Sequence, residues 1–290
     1  MRVTDNMRQA QVLRHLQGNL AELARAQSQV ATGKRFTRPS EDPVAASRVM
    51  RAEQALRGLT QYRRNTTAVR ARVDAEEAVL DQVTDLMTRA KELATEQATD
   101  SATPATRAIA AAELDRVIEQ VIQLGNTRVG SEHLFGGHQT AAPPFQPDGT
   151  YLGDDGARQA ELSDGYVITT NHTGRELLVQ SGALGGLTAL RDALRAGTRD
   201  GVAAAAPAVD DAFANVQTLL AETGARSRQI DTAIENIDAS ESSVGIGITT
   251  DQGITLEEAT TRMMSVQTTL QAALLSTSRL LQTSLTEYLR

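Results

Sequence analysis

The sequence predicts a mainly α-helical, elongated chain interrupted once by a small β insertion. Apolar residues at both ends recur every three or four positions, which is the period of a coiled-coil seam. Only 3% of the 290 residues are aromatic and tryptophan is absent, so the core has to be built from small aliphatic side chains, as in the narrow seams between packed helices. Glycine and proline gather in one central stretch, residues 133–186, where helical periodicity stops.

At the amino terminus, Leu13, Leu16, Leu20, Leu23, Gln27 and Val30 follow a 3,4,3,4,3 spacing, a seam with one polar member. Thr32-Gly33 ends that helix. A loop through Arg38-Pro39 leads to Asp42-Pro43, where Asp42 suits an N-cap and Pro43 the first helical position. Residues 1–42 are therefore expected to form a coiled-coil helix and hinge.

A long helix is expected from about Pro43 to Asp100, carrying Val79, Val83, Leu86, Ala90 and Leu93 on one face. Thr103-Pro104 restarts the pattern, and Ala110, Leu114, Val117, Val121 and Leu124 predict a third helix packed antiparallel on the second, with Gly125 as its stop. Residues 43–132 make up this first half of a rod. In the insertion, 133–186, short runs such as Thr150-Tyr151-Leu152, Gln159-Ala160-Glu161-Leu162 and Tyr166-Val167-Ile168-Thr169-Thr170 lie between turn residues and read as strands.

Helical periodicity resumes over 187–243 with Leu187, Leu190, Leu194, Val209, Phe213, Val216, Leu220, Ile230, Ile234 and Ile237. Val244-Gly245-Ile246-Gly247-Ile248 with Gly253 predicts a second hinge. Over 244–290 the terminal helix then carries Met263, Val266, Leu270, Leu274, Leu281, Leu285 and Tyr288, with Thr277 as the polar interruption. Neither terminal stripe is satisfied alone. The two ends must pair with each other, pair with neighbouring subunits, or stay unstructured until assembly.

Charge is divided along the chain. Residues 1–72 hold 14 Lys and Arg against 5 Asp and Glu, while the whole chain carries −7, leaving a surplus of 16 negative charges in the remainder. Basic helices lying against acidic ones account for this division. The arginines are scattered, without aromatic stacking partners, and do not resemble a nucleic-acid surface.

The chemistry of a catalyst is not apparent. Absence of cysteine excludes disulfides, thiol nucleophiles and thiolate metal sites. Thr32-Gly33-Lys34-Arg35 looks like the end of a phosphate loop, but Ser28 stands where the upstream glycine is needed and Arg35 where a hydroxyl is needed. Gly245-Ile246-Gly247 lacks the third glycine of a dinucleotide fingerprint, Thr250 standing there. His15, His133, His138 and His172 show no one-turn pairing with a carboxylate. Glu41-Asp42, Glu76-Glu77, Asp154-Asp155, Asp210-Asp211 and Glu257-Glu258 read as caps and solvated faces, with Asp154-Asp155-Gly156 a weak calcium candidate. The chain is expected to be no enzyme, and to need no cofactor and no metal. The first thirty residues are broken up by Arg2, Asp5, Arg8, Arg14, Glu22 and Arg25, so no cleavable signal peptide and no membrane span is expected.

Ala26-Gln27-Ser28-Gln29-Val30-Ala31-Thr32-Gly33-Lys34-Arg35, followed by Pro39-Ser40-Glu41-Asp42-Pro43-Val44-Ala45-Ala46-Ser47, resembles the amino-terminal signature of flagellin-like proteins. Its proline-serine-acidic-acidic-proline form is similar to the hook-associated branch of that family, Pro39 and Pro43 carrying the distinction. Asn126-Thr127-Arg128, Leu134-Phe135-Gly136-Gly137, Ala142-Pro143-Pro144-Phe145, Gly224-Ala225-Arg226 and Leu280-Leu281-Gln282-Thr283-Ser284-Leu285 agree with it.

The resemblance implies a flagellin-like helical rod with coiled-coil terminal helices, exported by the flagellar type III secretion apparatus with an export chaperone. It would form a ring with copies of itself at the hook-filament junction, between hook-associated protein 1 and the first flagellin layer, outside the cell. Gly33, Lys34, Arg35, Pro39, Ser40, Asp42 and Pro43 are the signature positions. A short flagellin is the alternative, and a cytoplasmic coiled-coil scaffold a distant one.

Overall fold

The computed structural model describes the backbone of residues 2–288, together with the side chains of residue 7 and residues 10–278. Six α-helices follow one another among the described residues: α1 (Arg2–Thr32), α2 (Pro43–Gln97), α3 (Pro104–Gly125), α4 (Ala183–Ala196), α5 (Arg199–Gln252) and α6 (Leu256–Tyr288). Between α3 and α4 lie β1 (Arg128–Val129), β2 (Glu132–His133), β3 (Gln159–Ser163), β4 (Tyr166–Thr169) and a π-helical turn at Arg175–Gln180. The chain divides into two units, one comprising Met1–Arg57 with Glu241–Arg290, the other Gly58–Ser240.

In the Gly58–Ser240 unit the buried face of α2 keeps coiled-coil phase over ten positions: Thr66, Val69, Val73, Glu76, Leu80, Val83, Met87, Ala90, Ala94 and Gln97. From Leu80 onward its apolar members join Ala110, Leu114, Val117 and Val121 of α3, Leu187, Leu190 and Leu194 of α4, and Val202, Val209, Ala212 and Val216 of α5 in one core. Leu86, from the expected stripe of α2, packs partly buried against it.

α2 and α5 are also held by ion pairs Arg63–Asp238, Arg70–Asp231 and Lys91–Asp210. Along α2 these cations are 7 and 21 residues apart, and the acids run back along α5 by the same steps, so the helices are antiparallel in a register of whole heptads. Basic residues of the first third thus meet acidic residues of the last.

α3 starts on a reciprocal cap: the Thr106 amide donates to Thr103 Oγ1 at 3.2 Å, and the Thr103 amide to Thr106 Oγ1 at 2.9 Å, with Pro104 behind them. The buried Arg107 guanidinium donates to the carbonyls of Gln97 (3.1 Å), Thr99 (3.2 Å) and Gly197 (3.0 Å). It satisfies the carbonyl ends of both α2 and α4, where a cation also meets the negative end of each helix dipole.

The insertion holds two separate antiparallel ribbons, β1–β2 and β3–β4. Leu162 and Ile168 of β3–β4 pack with Val69 and Val73 of α2 and with Ile230 and Ala233 of α5. Three expectations differ here. Strands begin at Arg128 and end at Thr169, and the stretch expected as turns up to 186 is instead the π-helical turn and the start of α4, because Leu177, Leu178 and Ala183 are drawn into the helical core. Thr150-Tyr151-Leu152 makes only a bridge, Tyr151 to Phe145, since Pro143, Pro144 and Pro147 cannot donate to a ladder. Glu76, read as part of a cap or solvated face, is fully buried, because it falls in phase with the apolar stripe of α2.

In the other unit the expected break at Val244–Ile248 is absent. α5 runs through Gly245 and Gly247 to Gln252, and the interruption is confined to residues 253–255. Each glycine costs a helix about 1 kcal/mol, which is less than renucleating a helix after a break. Ile248 is anchored as well, packing against the cluster of Phe36, Ala45, Ala46 and Val49.

Candidate assembly site

Seven signature positions build a joint where four helix ends meet. Gly33 leaves α1 with φ +66°, a conformation that favours glycine, and its amide donates to Gln29 O at 2.9 Å. Beyond it the strand-like Lys34 bridges to Gly253: the Arg35 amide donates to Gln252 O at 2.6 Å and the Ile254 amide to Gly33 O at 3.1 Å. The end of α1 is thereby tied to the turn that starts α6, so those two helices run antiparallel.

Around this bridge two glutamine side chains donate to loop carbonyls. Gln29 Nε2 donates to Arg35 O at 2.6 Å, and Gln252 Nε2 to Phe36 O at 3.3 Å. Arg38, Pro39 and Ser40 turn the chain, with the Glu41 amide returning to Arg38 O at 3.0 Å. The Thr37 amide donates to Glu41 Oε2 at 3.0 Å and, with the nearby Arg38 and Arg25, holds the Glu41 carboxyl below its ordinary range. Asp42 Oδ1 accepts from the Ala45 amide at 2.9 Å and caps α2, with Pro43 as its first residue. Arg48 grips Asp251 through Nε and Nη2, which raises the guanidinium pKa and lowers that of the carboxyl.

The terminal pair α1–α6 closes on stripes that share only part of the set given by leucine spacing. On α1 the stripe runs through Val12, Leu16, Asn19, Leu23, Ala26 and Val30, all buried or half-buried, with Gln29 buried beside it near the helix end. On α6 it runs through Ala259, Met263, Val266, Leu270, Ala273 and Thr277. Both repeat as 4,3,4,3,4. Leu16, Leu23, Val30, Met263, Val266 and Leu270 of the predicted set are on these stripes, whereas Leu13 (57% exposed), Leu20 (49%) and Leu274 (47%) are outside them. Alanines at 26, 259 and 273 let the backbones approach, so the helices turn towards their small residues and leave bulky leucines outward. Leu281, Leu285 and Tyr288 have side chains outside the described residues.

Two layers follow from this geometry: one stripe closed within the chain, and a second apolar edge, Leu13 and Leu20 on α1 with Leu274 and Leu275 on α6, still exposed. Exposed apolar residues in helical phase suit packing against further helices. Gln29, Phe36, Arg48, Asp251 and Gln252 were not singled out in the sequence. Phe36 has a visible signal as an aromatic beside the signature loop, but the Arg48–Asp251 pairing spans 203 positions and has none. Among the described residues no cluster of three or more His, Cys, Asp or Glu is arranged to hold a metal, and Asp154 Oδ1 is spent on the amides of His138 (2.7 Å) and Gly156 (3.0 Å). No helix among them is long and apolar enough to cross a membrane.

Residues 3–140 match the model for the bacterial flagellin N-terminal helical region, and residues 207–289 that for the bacterial flagellin C-terminal helical region. Over 179 residues, 61% of this chain, the sequence is 31% identical to flagellar hook-associated protein 3 of Salmonella typhimurium, and the match spans 56% of that relative's length. FlgL of Bacillus cereus has a similar structure, with a TM-score of 0.62 at 21% identity, covering 69% of this chain and 99% of that one. The flagellar junction protein FlgL of Legionella pneumophila gives 0.60 at 13% identity, covering 71% and 100%. At these identities the structural likeness concerns the fold alone.

Proposed function

Because the chain belongs to the flagellin family, whose two terminal helical regions it carries, we propose that it is a structural subunit of the bacterial flagellum at the junction of hook and filament. The reading rests on the 31% identity with hook-associated protein 3 over 179 residues, a match that spans little more than half of that relative. The proline-bearing form of the hinge, Pro39 to Pro43, supports the same branch.

In this role the subunit is exported through the flagellar type III apparatus, helped by a chaperone, and forms a ring outside the cell with copies of itself. Hook-associated protein 1 lies on one side of the ring and the first flagellin layer on the other. The exposed edge containing Leu13, Leu20, Leu274 and Leu275 supplies apolar surface for neighbouring helices, while the joint at Gly33–Pro43 ties the end of α1 to the turn that starts α6. No step of this role calls for catalysis.

Immunogold electron microscopy of intact flagella, with antibody to the strand-bearing insertion, tests the proposal. Label confined to the hook-filament boundary is the expected result. Label along the whole filament would make the chain a filament subunit instead, and its absence from flagella would remove the structural reading altogether.

A further inference from the structure

The seam between α2 and α5 contains one group of polar residues that the hinge and the terminal pair do not use. Glu76 of α2 is fully buried, Thr223 of α5 is fully buried, and His172, from the segment after β4, is inserted beside them. His172 Nδ1 is 2.5 Å from Glu76 Oε1, and the His172 amide donates to the same oxygen at 3.3 Å. Arg226 Nη1 of α5 stands 3.6 Å from Glu76 Oε1. Two segments distant in sequence, α5 and the one bearing His172, therefore converge on a carboxylate of α2.

The other ring nitrogen faces two groups with opposite demands. His172 Nε2 is 3.2 Å from Glu222 Oε2 and 3.4 Å from Arg226 Nη2. A guanidinium only donates hydrogen bonds, and an ionised carboxylate only accepts them. Glu76 from α2, and Glu222 and Arg226 from α5, are the charged groups facing the ring. On its own segment Glu176 accepts from the Thr173 amide at 2.8 Å.

We propose that His172 is a proton-operated latch between the strand-bearing segment and the α2–α5 pair, its protonation deciding whether Nε2 is held by Glu222 or by Arg226. In the imidazolium, Nδ1–H donates to Glu76 and Nε2–H to Glu222, so one cation bridges α2 and α5 while Arg226 is repelled from the ring. On loss of the proton, Nδ1–H still serves Glu76, but Nε2 becomes an acceptor, takes a hydrogen bond from Arg226, and releases Glu222, whose side chain is 57% exposed, to water. The latch is tight in the first state and slack in the second.

The direction of titration agrees. Burial works against the charged ring, but the hydrogen bond and charge of Glu76, with Glu222, outweigh burial and the repulsion of Arg226, so the His172 pKa is raised. The stabilisation from the latch is fully present below the unfolded value of about 6.5 and is lost as pH rises through the raised native value.

Hydrogen exchange of the full chain between pH 6 and 9, corrected for intrinsic rate, reads the latch at the amides of residues 172–174. Their protection should fall by about tenfold for each unit by which the native pKa exceeds the free one. His172→Gln should remove that pH dependence. Should this variant fail to fold, Glu222→Gln, a change at the surface, decides the matter: it should lower the His172 pKa in an NMR titration and reduce protection only on the acid side. Protection that is flat with pH in the parent protein, or a Glu222→Gln profile identical to the parent's, would overturn the proposal.

Discussion

Arg48 near the start of α2 holds Asp251 near the end of α5 in a forked pair, with Nε 3.0 and 3.1 Å from the two carboxylate oxygens and Nη2 2.8 Å from one of them. It clamps the helices beside the bridge between Lys34 and Gly253. Because Arg48 lowers the Asp251 pKa, the stabilisation is fully present above the ordinary aspartate value of about 3.9 and is lost as pH falls through the depressed native value. Arg48→Gln should return Asp251 to ordinary titration. Carboxyl carbon NMR measures this, and an unshifted curve would show that the pair is not populated in solution.

The two faces of the terminal helices should separate by mutation. Leu270→Asp puts a charge in the stripe that closes the α1–α6 pair, so it should reduce helicity and thermal stability of the free subunit. Leu20→Asp, on the exposed edge, should leave circular dichroism unchanged yet keep the subunit out of flagella. Incorporation of the Leu20 variant at the parent level would mean that this edge has no part in assembly.

Glycines of the hinge region should respond to alanine with opposite signs. At Gly33, with φ +66° and open space around it, a Cβ meets backbone strain alone, and Gly33→Ala should cost about 1 kcal/mol. Gly245 lies inside α5, also in open space, so Gly245→Ala should stabilise by about 1 kcal/mol. Denaturant unfolding distinguishes them. A destabilised Gly245→Ala would indicate that the helix is interrupted there after all.

Arg107 serves three carbonyls from inside the core. Arg107→Met should destabilise the chain by about 3 kcal/mol, with Arg107→Lys nearly as damaging because a single ammonium cannot reach all three acceptors in the guanidinium's planar array. Urea midpoints of the three proteins provide the comparison, and near-equal values would refute this account of Arg107.

Local chemistry left clear marks in the sequence. Thr103-Pro104 and Asp42-Pro43 announce helix starts, Gly33 and Gly125 announce ends, and aliphatic residues at three- and four-residue spacing identify the long helices. Each of these signals is contained within a few turns of chain, where capping and amphipathicity operate. The division of charge between the first third and the remainder likewise anticipated pairs such as Arg70–Asp231.

Other features needed partners distant in sequence. A 3,4 repeat on a helix admits neighbouring stripes, and the choice of Asn19 over Leu20 and of Ala26 over Gln27 depends on how closely α6 can approach. Glu76 and its neighbour Glu77 look alike as residues, but only α5 and the segment bearing His172 turn one of them inward and compensate its burial with Thr223 and Arg226. Continuation of α5 through Gly245 and Gly247 was hidden for the same reason: propensity is a local quantity of about 1 kcal/mol per residue, and packing of Ile248 beside Phe36 is decided across the fold. The sequence by itself therefore determined that long amphipathic helices form and where several of them are capped. The tertiary structure decided which side of each helix is closed within the chain, because burial depends on the surface that arrives opposite.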